Sequence, residues 1–440
     1  MAEPLRVGVA GLGTVGSSVA AMLLRTRDAI AMRAGRPIDL VAYASKDPPR
    51  DATLDLSKAR KVADPIALAR DPGIDVFVEL MGGSGDPAKS SVEAALAAGR
   101  PVVTANKALL AHHGATLARL AEANKTTLSF EAAVAGGIPI IKTLREGLGG
   151  SRISRIYGIL NGTCNYILTR MHKEHMSFDA CLKEAQKLGY AEADPTFDIG
   201  GFDTAHKIAI LTSVAFGTEV DADAVHVEGI ESITLADLEA ADELGYRVKL
   251  LGVAQRTEAG IEQRVHPTMV PKGNVIAEVE GVLNAVAVDA DTMGLTLMGP
   301  GAGGAATSSA VVADIMDLAA GRRVSSFGRP AASLTKAPRA PMQRHEGGYY
   351  IRLAAVDRPG TAATIARRMA DANISLESIM QRGRDRKPHG GEDPRSADKP
   401  APVALITYAT TEDAMRRALA AIEKDGVVAE KPQVIRIEKG

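Results

Sequence analysis

The chain has 440 residues, too many for one ordinary core, so two or three domains are expected. Hydrophobic residues make up 46% and charged residues 24%, with 52 basic against 53 acidic residues and a formal net charge of −1. That balance gives no reason to expect nucleic acid or an anionic membrane as partner, and the 3% of aromatic residues do not interleave with basic clusters. Two cysteines, Cys164 and Cys181, are too few for a disulfide framework or a cysteine zinc site. So few cysteines make a reducing, cytoplasmic setting the default expectation, and there is neither a signal-peptide pattern nor a run of about eighteen uncharged apolar residues.

In chain order, Leu5 to Ala10 reads as a strand, the glycine turn comes next, and Ser17 to Arg27 has helical apolar spacing. Leu40 to Ala44, Val76 to Leu80 and Pro101 to Thr104 read as further strands, with helices at Ile66 to Ala69 and Ser91 to Ala98. Strands alternating with helices in this way imply right-handed crossovers and a doubly wound parallel sheet of the Rossmann type. After Phe130 the texture changes. Helices are expected at Pro139 to Glu146, Tyr166 to Lys173, Phe178 to Leu188, His206 to Ala215 and Leu235 to Leu244. Strands are expected at Arg155 to Leu160, Val248 to Gln255, Ile261 to Pro267, Val275 to Val279 and Ala285 to Val288. This is an α+β substrate and dimerisation domain, and the helix Thr307 to Ala319 returns the chain to the first domain.

The proline-rich stretch 329–348 reads as a linker. Beyond it the order is strand Ile351 to Ala355, helix Thr361 to Ala372, strand Ile374 to Arg382, strand Val403 to Ala409, helix Glu412 to Lys424 and strand Val427 to Glu438. That is a βαββαβ module, interrupted by a polar insertion, Gly383 to Pro400, expected to be disordered. The domains are therefore 1–130, completed by about 305–328, then 131–304, and finally 349–440.

Gly11, Gly13 and Gly16, with Thr14 and Val15 between them, form G-L-G-T-V-G directly after a strand and at a helix start. Gly11 permits the tight turn, Gly13 lets the backbone approach a pyrophosphate, and Gly16 allows close helix–strand packing. Taken alone the pattern also fits a structural turn. The second strand ends Tyr43-Ala44-Ser45-Lys46, with Arg50 close behind and no acid to take a ribose hydroxyl. NADP(H) is therefore favoured and NAD(H) compatible, unless Lys46 and Arg50 are simply a solvated edge.

Two stretches are dense in polar groups. T-A-N-K-A-L-L puts Thr104 and Lys107 after a central strand, where ligands bind in such sheets. G-Y-A-E-A-D-P-T-F-D-I-G-G-F-D-T-A-H-K brings together Glu192, Asp194, Asp198, Asp203 and Lys207. Asp203 and Lys207 are four apart and share one helix face. Such a cluster suits a substrate ammonium beside a proton-donating lysine, although a surface charge run would look similar. Cys164, in N-G-T-C-N-Y, lacks a neighbouring histidine that could activate it as the nucleophile of a phosphorylating aldehyde dehydrogenase. His112, His113, His172, His175 and His206 show no metal spacing beyond pairs.

With F-E-A-A-V-A-G-G-I-P-I-I, G-I-L-N-G-T-C-N-Y-I-L and G-P-G-A-G, these motifs recur in the order of the homoserine dehydrogenases, which the sequence strongly resembles. The glycine loop begins near residue 11, so the resemblance is to the monofunctional form. It implies reversible hydride transfer between NAD(P)H and L-aspartate 4-semialdehyde, giving L-homoserine. The family's proton-donating lysine falls on Lys207, its second lysine on Lys107, and its substrate-contacting acids on Glu192, Asp203 and Asp198. It also implies a Na+ site in the turn holding Glu131, Val134, Gly136 and Ile138. Gly301, Gly303 and Gly304 are expected to pack beneath the cofactor.

Residues 349–440 resemble an ACT domain, on Y-Y-I-R-L-A-A-V-D-R-P-G-T-A-A-T-I-A and A-N-I-S-L-E-S-I. The turn Asp357, Pro359, Gly360 is where this family admits an effector, with L-threonine as expected inhibitor; a pairing module without effector is the other reading. A homodimer or homotetramer is implied by the resemblance. Another amino-acid-aldehyde dehydrogenase, or a non-catalytic amino-acid sensor that kept the fold, are the alternatives to the enzyme. A sensor has no need of Lys107, Asp203 and Lys207.

Overall fold

The computed structural model describes residues 2–381 and 400–438, so residues 383–399 of the expected insertion lie outside the described residues. The first unit runs β1 (Leu5–Ala10), α1 (Thr14–Arg25), α2 (Arg27–Ala34), β2 (Ile38–Ala44), β3 (Arg60–Lys61), α3 (Pro65–Arg70), β4 (Val76–Glu79), α4 (Ala88–Ala97), β5 (Val102–Thr104), α5 (Lys107–Ala123) and β6 (Leu128–Ser129). Its strands pair in parallel in the order β3-β2-β1-β4-β5-β6. The chain reverses its direction of addition between β1 and β4. A crevice for a ligand therefore opens at their carboxyl ends. β4 and β5 are buried throughout, as strands covered on both faces must be.

α1 starts at Thr14, three residues before the expected Ser17, so Gly16 lies inside its first turn. It also stops early, where the Thr26 hydroxyl donates to the Met22 carbonyl at 2.7 Å. α2 was not expected from the sequence. It buries only Ile30 and Ala34, too sparse a pattern to read as a helix.

The second unit adds α6 (Ala132–Ala135), α7 (Ile140–Lys142), β7 (Ile153–Ile159), α8 (Gly162–Glu174), α9 (Phe178–Lys187), α10 (Thr196–Ile199), α11 (Phe202–Phe216), β8 (His226–Val227), α12 (Leu235–Glu243), β9 (Tyr246–Thr257), β10 (Gly260–Pro271), β11 (Leu283–Ala290), β12 (Gly294–Pro300) and α13 (Gly304–Ala319). α13 lies against α1, as expected of the returning helix. The fit is close: a Cβ on Gly304 would sit 2.3 Å from the Ser18 hydroxyl.

Val275 to Val279 is not the expected strand but a run of turns. The Asn274 side chain accepts the Ile276 amide at 2.9 Å, and the Val279 carbonyl accepts from the Asn165 amide and the buried Lys249 ammonium. Turn bonds from the Ala277 and Glu278 amides to Asn274 and Val275, together with these side chains, satisfy the backbone in place of a ladder, and the apolar residues Ile276, Ala277 and Val279 are buried all the same. β12 escapes sequence reading because one of its faces is exposed.

The C-terminal unit holds β13 (Glu346–Ala355), α14 (Thr361–Asp371), β14 (Leu376–Gln381), β15 (Ala401–Thr407), β16 (Thr410–Thr411), α15 (Glu412–Lys424) and β17 (Gln433–Ile437). It is not a bead on a tether. β17 runs parallel to β10, pairing Thr268 with Arg436 and Met269 with Ile437. Among the described residues one sheet thus runs β12-β11-β7-β9-β10-β17-β13-β15-β14. The stretch 329–348 is also docked: Ile261 donates to Pro338 at 2.9 Å, Ala340 donates back to Ile261 at 3.0 Å, and Ala331 donates to Glu122. Among the described residues no helix is long and apolar enough to cross a membrane.

Candidate active site

The glycine loop closes on the sheet it leaves. Gly11 has φ +94°, and a Cβ there would lie 2.6 Å from the Leu80 carbonyl oxygen. Its amide donates to Ala44 at 2.8 Å, tying the loop to the end of β2. A Cβ on Gly16 would fall 1.9 Å from the Gly11 oxygen, so only glycine lets α1 approach this closely. Gly13 differs: a Cβ there meets nothing within 4 Å. The backbone is open on the side from which a pyrophosphate would come, and the first turn of α1, with Thr14 and Val15, carries no acid. This cradle fits a dinucleotide. Gly13→Ala should therefore leave the melting temperature unchanged while raising KM for the nicotinamide cofactor about tenfold or more. An unchanged cofactor KM would count against the cradle.

Around the loop, Lys46 and Arg50 are exposed, and the Arg50 amide donates to the Ser17 hydroxyl at 2.9 Å. Gly303, with φ +102°, caps α13 with open space beside it. Gly301 packs against Asn284 and Gly136.

Behind the crevice lies a carboxylate that sequence reasoning missed. Glu79 ends β4 fully buried, accepting the Met81 amide at 2.7 Å and the Thr104 hydroxyl at 2.7 Å. The Thr104 hydroxyl accepts the Asn106 amide in turn, and Asn106 caps α5 through the Leu109 amide. Thr104, an expected cofactor contact, thus has its hydroxyl committed to Glu79. The chain of bonds fixes Lys107 at the first position of α5.

Lys107 reaches across the crevice. Its ammonium lies 2.7 Å from Asp203 Oδ1, and Lys207 Nζ donates to Asp203 Oδ2 at 2.7 Å. One buried carboxylate thus bridges two lysines from two different units. Asp203 and Lys207 are 3% and 7% exposed, so neither charge is left to water. Burial alone would raise the Asp203 carboxyl; the two ammoniums outweigh it and hold it well below the usual carboxylate range. Lys207 also donates to the Leu160 carbonyl at 2.6 Å.

Asn161, also missed, organises the acids. Its amide donates to Asp198 at 2.8 Å and to Asp203 at 2.9 Å, while its oxygen caps α8. It sits in the N-G-T-C stretch, where attention falls on the cysteine. Burial, and then Asp203, pushes the Asp198 carboxyl up. Cys164 is buried, its thiol pushed well up by burial, and it donates to the Asp198 carbonyl at 3.2 Å. A thiol so placed is no nucleophile. The Lys107 ammonium lies 5.8 Å from the Phe197 ring centre, and Phe197 meets the His206 ring edge-on at 5.4 Å. Glu192 is not drawn into the cluster: its side chain is exposed on the loop before α10.

In the glycine turn after β6, Glu131 is buried and both its oxygens are taken, by the Ile141 amide at 2.9 Å and the Lys142 amide at 2.7 Å. Ile138 offers its carbonyl to Ile140 at 2.8 Å. Gly136 has φ +55° and packs on Gly301, and Val134 is buried. Among the described residues no group of three His, Cys, Asp or Glu side chains is arranged to hold a metal.

Sequence profiles of known families match these units in turn. The NAD-binding domain of homoserine dehydrogenase matches residues 11–131, the homoserine dehydrogenase catalytic domain 139–316, and the ACT domain 349–425. Homoserine dehydrogenase of Neisseria gonorrhoeae is 43% identical over 450 residues, covering 99% of each chain. A crystal structure of a homoserine dehydrogenase from Thiobacillus denitrificans superposes with a TM-score of 0.91 at 42% identity, over 99% of both chains. A hyperthermophilic archaeal homoserine dehydrogenase, solved in complex with NADPH, covers 72% of this chain and 97% of its own, with a TM-score of 0.60 and 28% identity. The chain belongs to the homoserine dehydrogenase family, as an oxidoreductase with a nicotinamide-binding domain, a catalytic domain and an ACT domain.

Proposed function

We propose that Lys207 is the proton donor in the reduction of L-aspartate 4-semialdehyde to L-homoserine, with Asp203 and Lys107 as its partners. The bound nicotinamide supplies the hydride in this direction and accepts it in the other. As hydride reaches the aldehyde carbon, negative charge grows on its oxygen. An ammonium has three N–H groups, and Lys207 spends two on Leu160 and Asp203. The third is left for that oxygen, first stabilising the charge and then giving up a proton. This three-way arrangement carries the reading. Lys107, Asp198 and Asp203 line the same place, and Glu192, on the loop leading into it, is the proposed partner of the substrate ammonium.

The preferred cofactor is NADP(H), with NAD(H) accepted, because Lys46 and Arg50 follow the end of β2 and the residues at that end, Ala44 and Ser45, offer no carboxylate for a ribose hydroxyl. A monovalent cation, Na+, is proposed in the turn after β6 through the main-chain oxygens of Val134, Gly136 and Ile138. The Glu131 carboxylate braces that turn by accepting the Ile141 and Lys142 main-chain amides. L-Threonine is the proposed effector at Asp357 and Gly360, where φ +92° opens the start of α14 without a Cβ. The working form is a cytoplasmic homodimer or homotetramer.

One spectrophotometric assay of homoserine oxidation by the full-length chain tests these points together. Turnover is expected with homoserine, faster with NADP+ than NAD+, lower when choline replaces Na+, and reduced by threonine. No turnover of homoserine would sink the central reading; equal rates, or indifference to Na+ or threonine, would sink the corresponding part alone.

A further inference from the structure

Where β17 joins β10, the sheet carries charges in its interior. Arg436 of β17 is 3% exposed, and its guanidinium serves two carboxylates at once. It donates to Glu228 at 2.8 and 3.0 Å, and to Glu412 at 3.0 and 2.8 Å. Glu412, at the start of α15, is itself held by the Tyr349 hydroxyl at 3.1 Å and by Arg416 at 2.8 Å. That half of the joint is rigid and belongs to the C-terminal unit. Glu228 belongs to the catalytic unit, where it comes directly after β8 and also meets His226 at 2.8 Å.

Immediately C-terminal to Glu228, the chain packs against the 199–201 turn. A Cβ on Gly229 would lie 2.4 Å from the Ile199 oxygen and 2.8 Å from the Gly200 Cα, and the Ile230 amide donates to Ile199 at 2.9 Å. Gly201, with φ +87°, turns into α11 over Val265 and Val227, whose methyls would stand 3.0 and 3.1 Å from a Cβ there. This turn has Asp198 on one side and Asp203 and Lys207 on the other. Gly229 and Gly201 leave no room for a side chain between Glu228 and the turn that carries the acids.

We infer that Arg436 is a positioning residue for the reaction: reaching in from the C-terminal unit, it holds Glu228, and through Gly229 and Ile230 the 199–201 turn that aims Asp198, Asp203 and Lys207. A bidentate fork on a half-buried carboxylate sets direction as well as distance, which an ammonium on the same stem would not do. A small shift here is felt at the aldehyde, since misplacement by about an ångström can slow a reaction by as much as 10²-fold. The C-terminal unit thereby acts on turnover through a mechanical contact, without touching substrate. The inference rests on the proposed roles of Asp203 and Lys207.

Glu228→Gln and Arg436→Lys, in the full-length enzyme, test it with little change of volume. Each should lower kcat about tenfold and raise KM for homoserine, with Arg436→Lys the milder. Affinity for the reduced cofactor, measured by its fluorescence, should not change. The double variant should be no worse than the worse single one, because both cut one connection. Arg352→Gln is the control. It severs another tie between the same units, to Asp237 at 2.6 Å, and should lower the melting temperature without lowering kcat. Wild-type kcat and homoserine KM in both test variants would overturn the inference. So would an equal loss of kcat in Arg352→Gln, which would mean general loosening. A fully active Lys207→Ala enzyme would instead bring down the catalytic assignment beneath it.

Discussion

Lys207→Ala should lower turnover by about 10² to 10⁴, the range expected when a positioned general acid is lost. The structure makes the loss specific. Lys207 Nζ is fixed between the Leu160 carbonyl and Asp203 on the inner face of α11, far along the chain from the glycine loop proposed to cradle the cofactor. Affinity for NADPH, read by fluorescence titration, should therefore stay close to that of the unmodified enzyme. KM for homoserine should change less than kcat, because the interaction removed is strongest when charge has built on oxygen. Normal turnover in this variant would end the proposal that Lys207 gives the proton.

Asp203→Asn attacks the same centre from the side of the counter-charge, and here stability should suffer as well as rate. The carboxylate balances Lys207, buried beside it, and Lys107, which is partly screened by solvent. Removing one partner of a buried ion pair costs about 3–5 kcal/mol, which in a chain of this size lowers the melting temperature by roughly 3–5 °C. The depressed carboxyl sets the sign of the pH dependence. A group held below its unfolded value, about 3.9 for Asp, contributes fully above that value and loses its contribution as pH falls through the folded one. The gap in stability between the two proteins should thus be flat from weakly acid to alkaline pH and narrow only in strong acid. A melting temperature equal to wild type at neutral pH would mean that the two lysines do not depend on Asp203.

The two predictions separate the two functions of α11. Lys207 is asked to donate a proton, Asp203 to keep two cations in place across the domain boundary. Because Lys107 comes from the nucleotide-binding unit and Asp203 from the catalytic unit, their ion pair also sets how the crevice between the units is held.

Much of this site was legible in the residues. G-L-G-T-V-G after an apolar strand announces a dinucleotide turn, since only glycine tolerates the contacts now seen at Gly11 and Gly16. The i, i+4 spacing of Asp203 and Lys207 puts them on one face of whatever helix forms, and they do meet, at 2.7 Å. Local rules sufficed there because the partners lie within one turn of each other. They failed at Val275 to Val279, where an apolar run is a buried turn, and at Glu79 and Asn161, single polar residues inside apolar surroundings. Their importance lies in what they touch, and the partners are 25, 37 and 42 residues away.

Spacing and glycine placement, then, determined from the sequence alone the nucleotide turn, the acid–lysine face and the three successive units, because each depends on contacts within a few residues or on repeated short patterns. Only the tertiary structure decided that Lys107 closes on Asp203, that Asn161 joins the two acids, and that β17 completes a sheet with β10 so that Arg436 grips Glu228. These pairings bridge up to 208 residues. They form when packed strands and helices bring distant surfaces together, and no local periodicity records which surfaces those are.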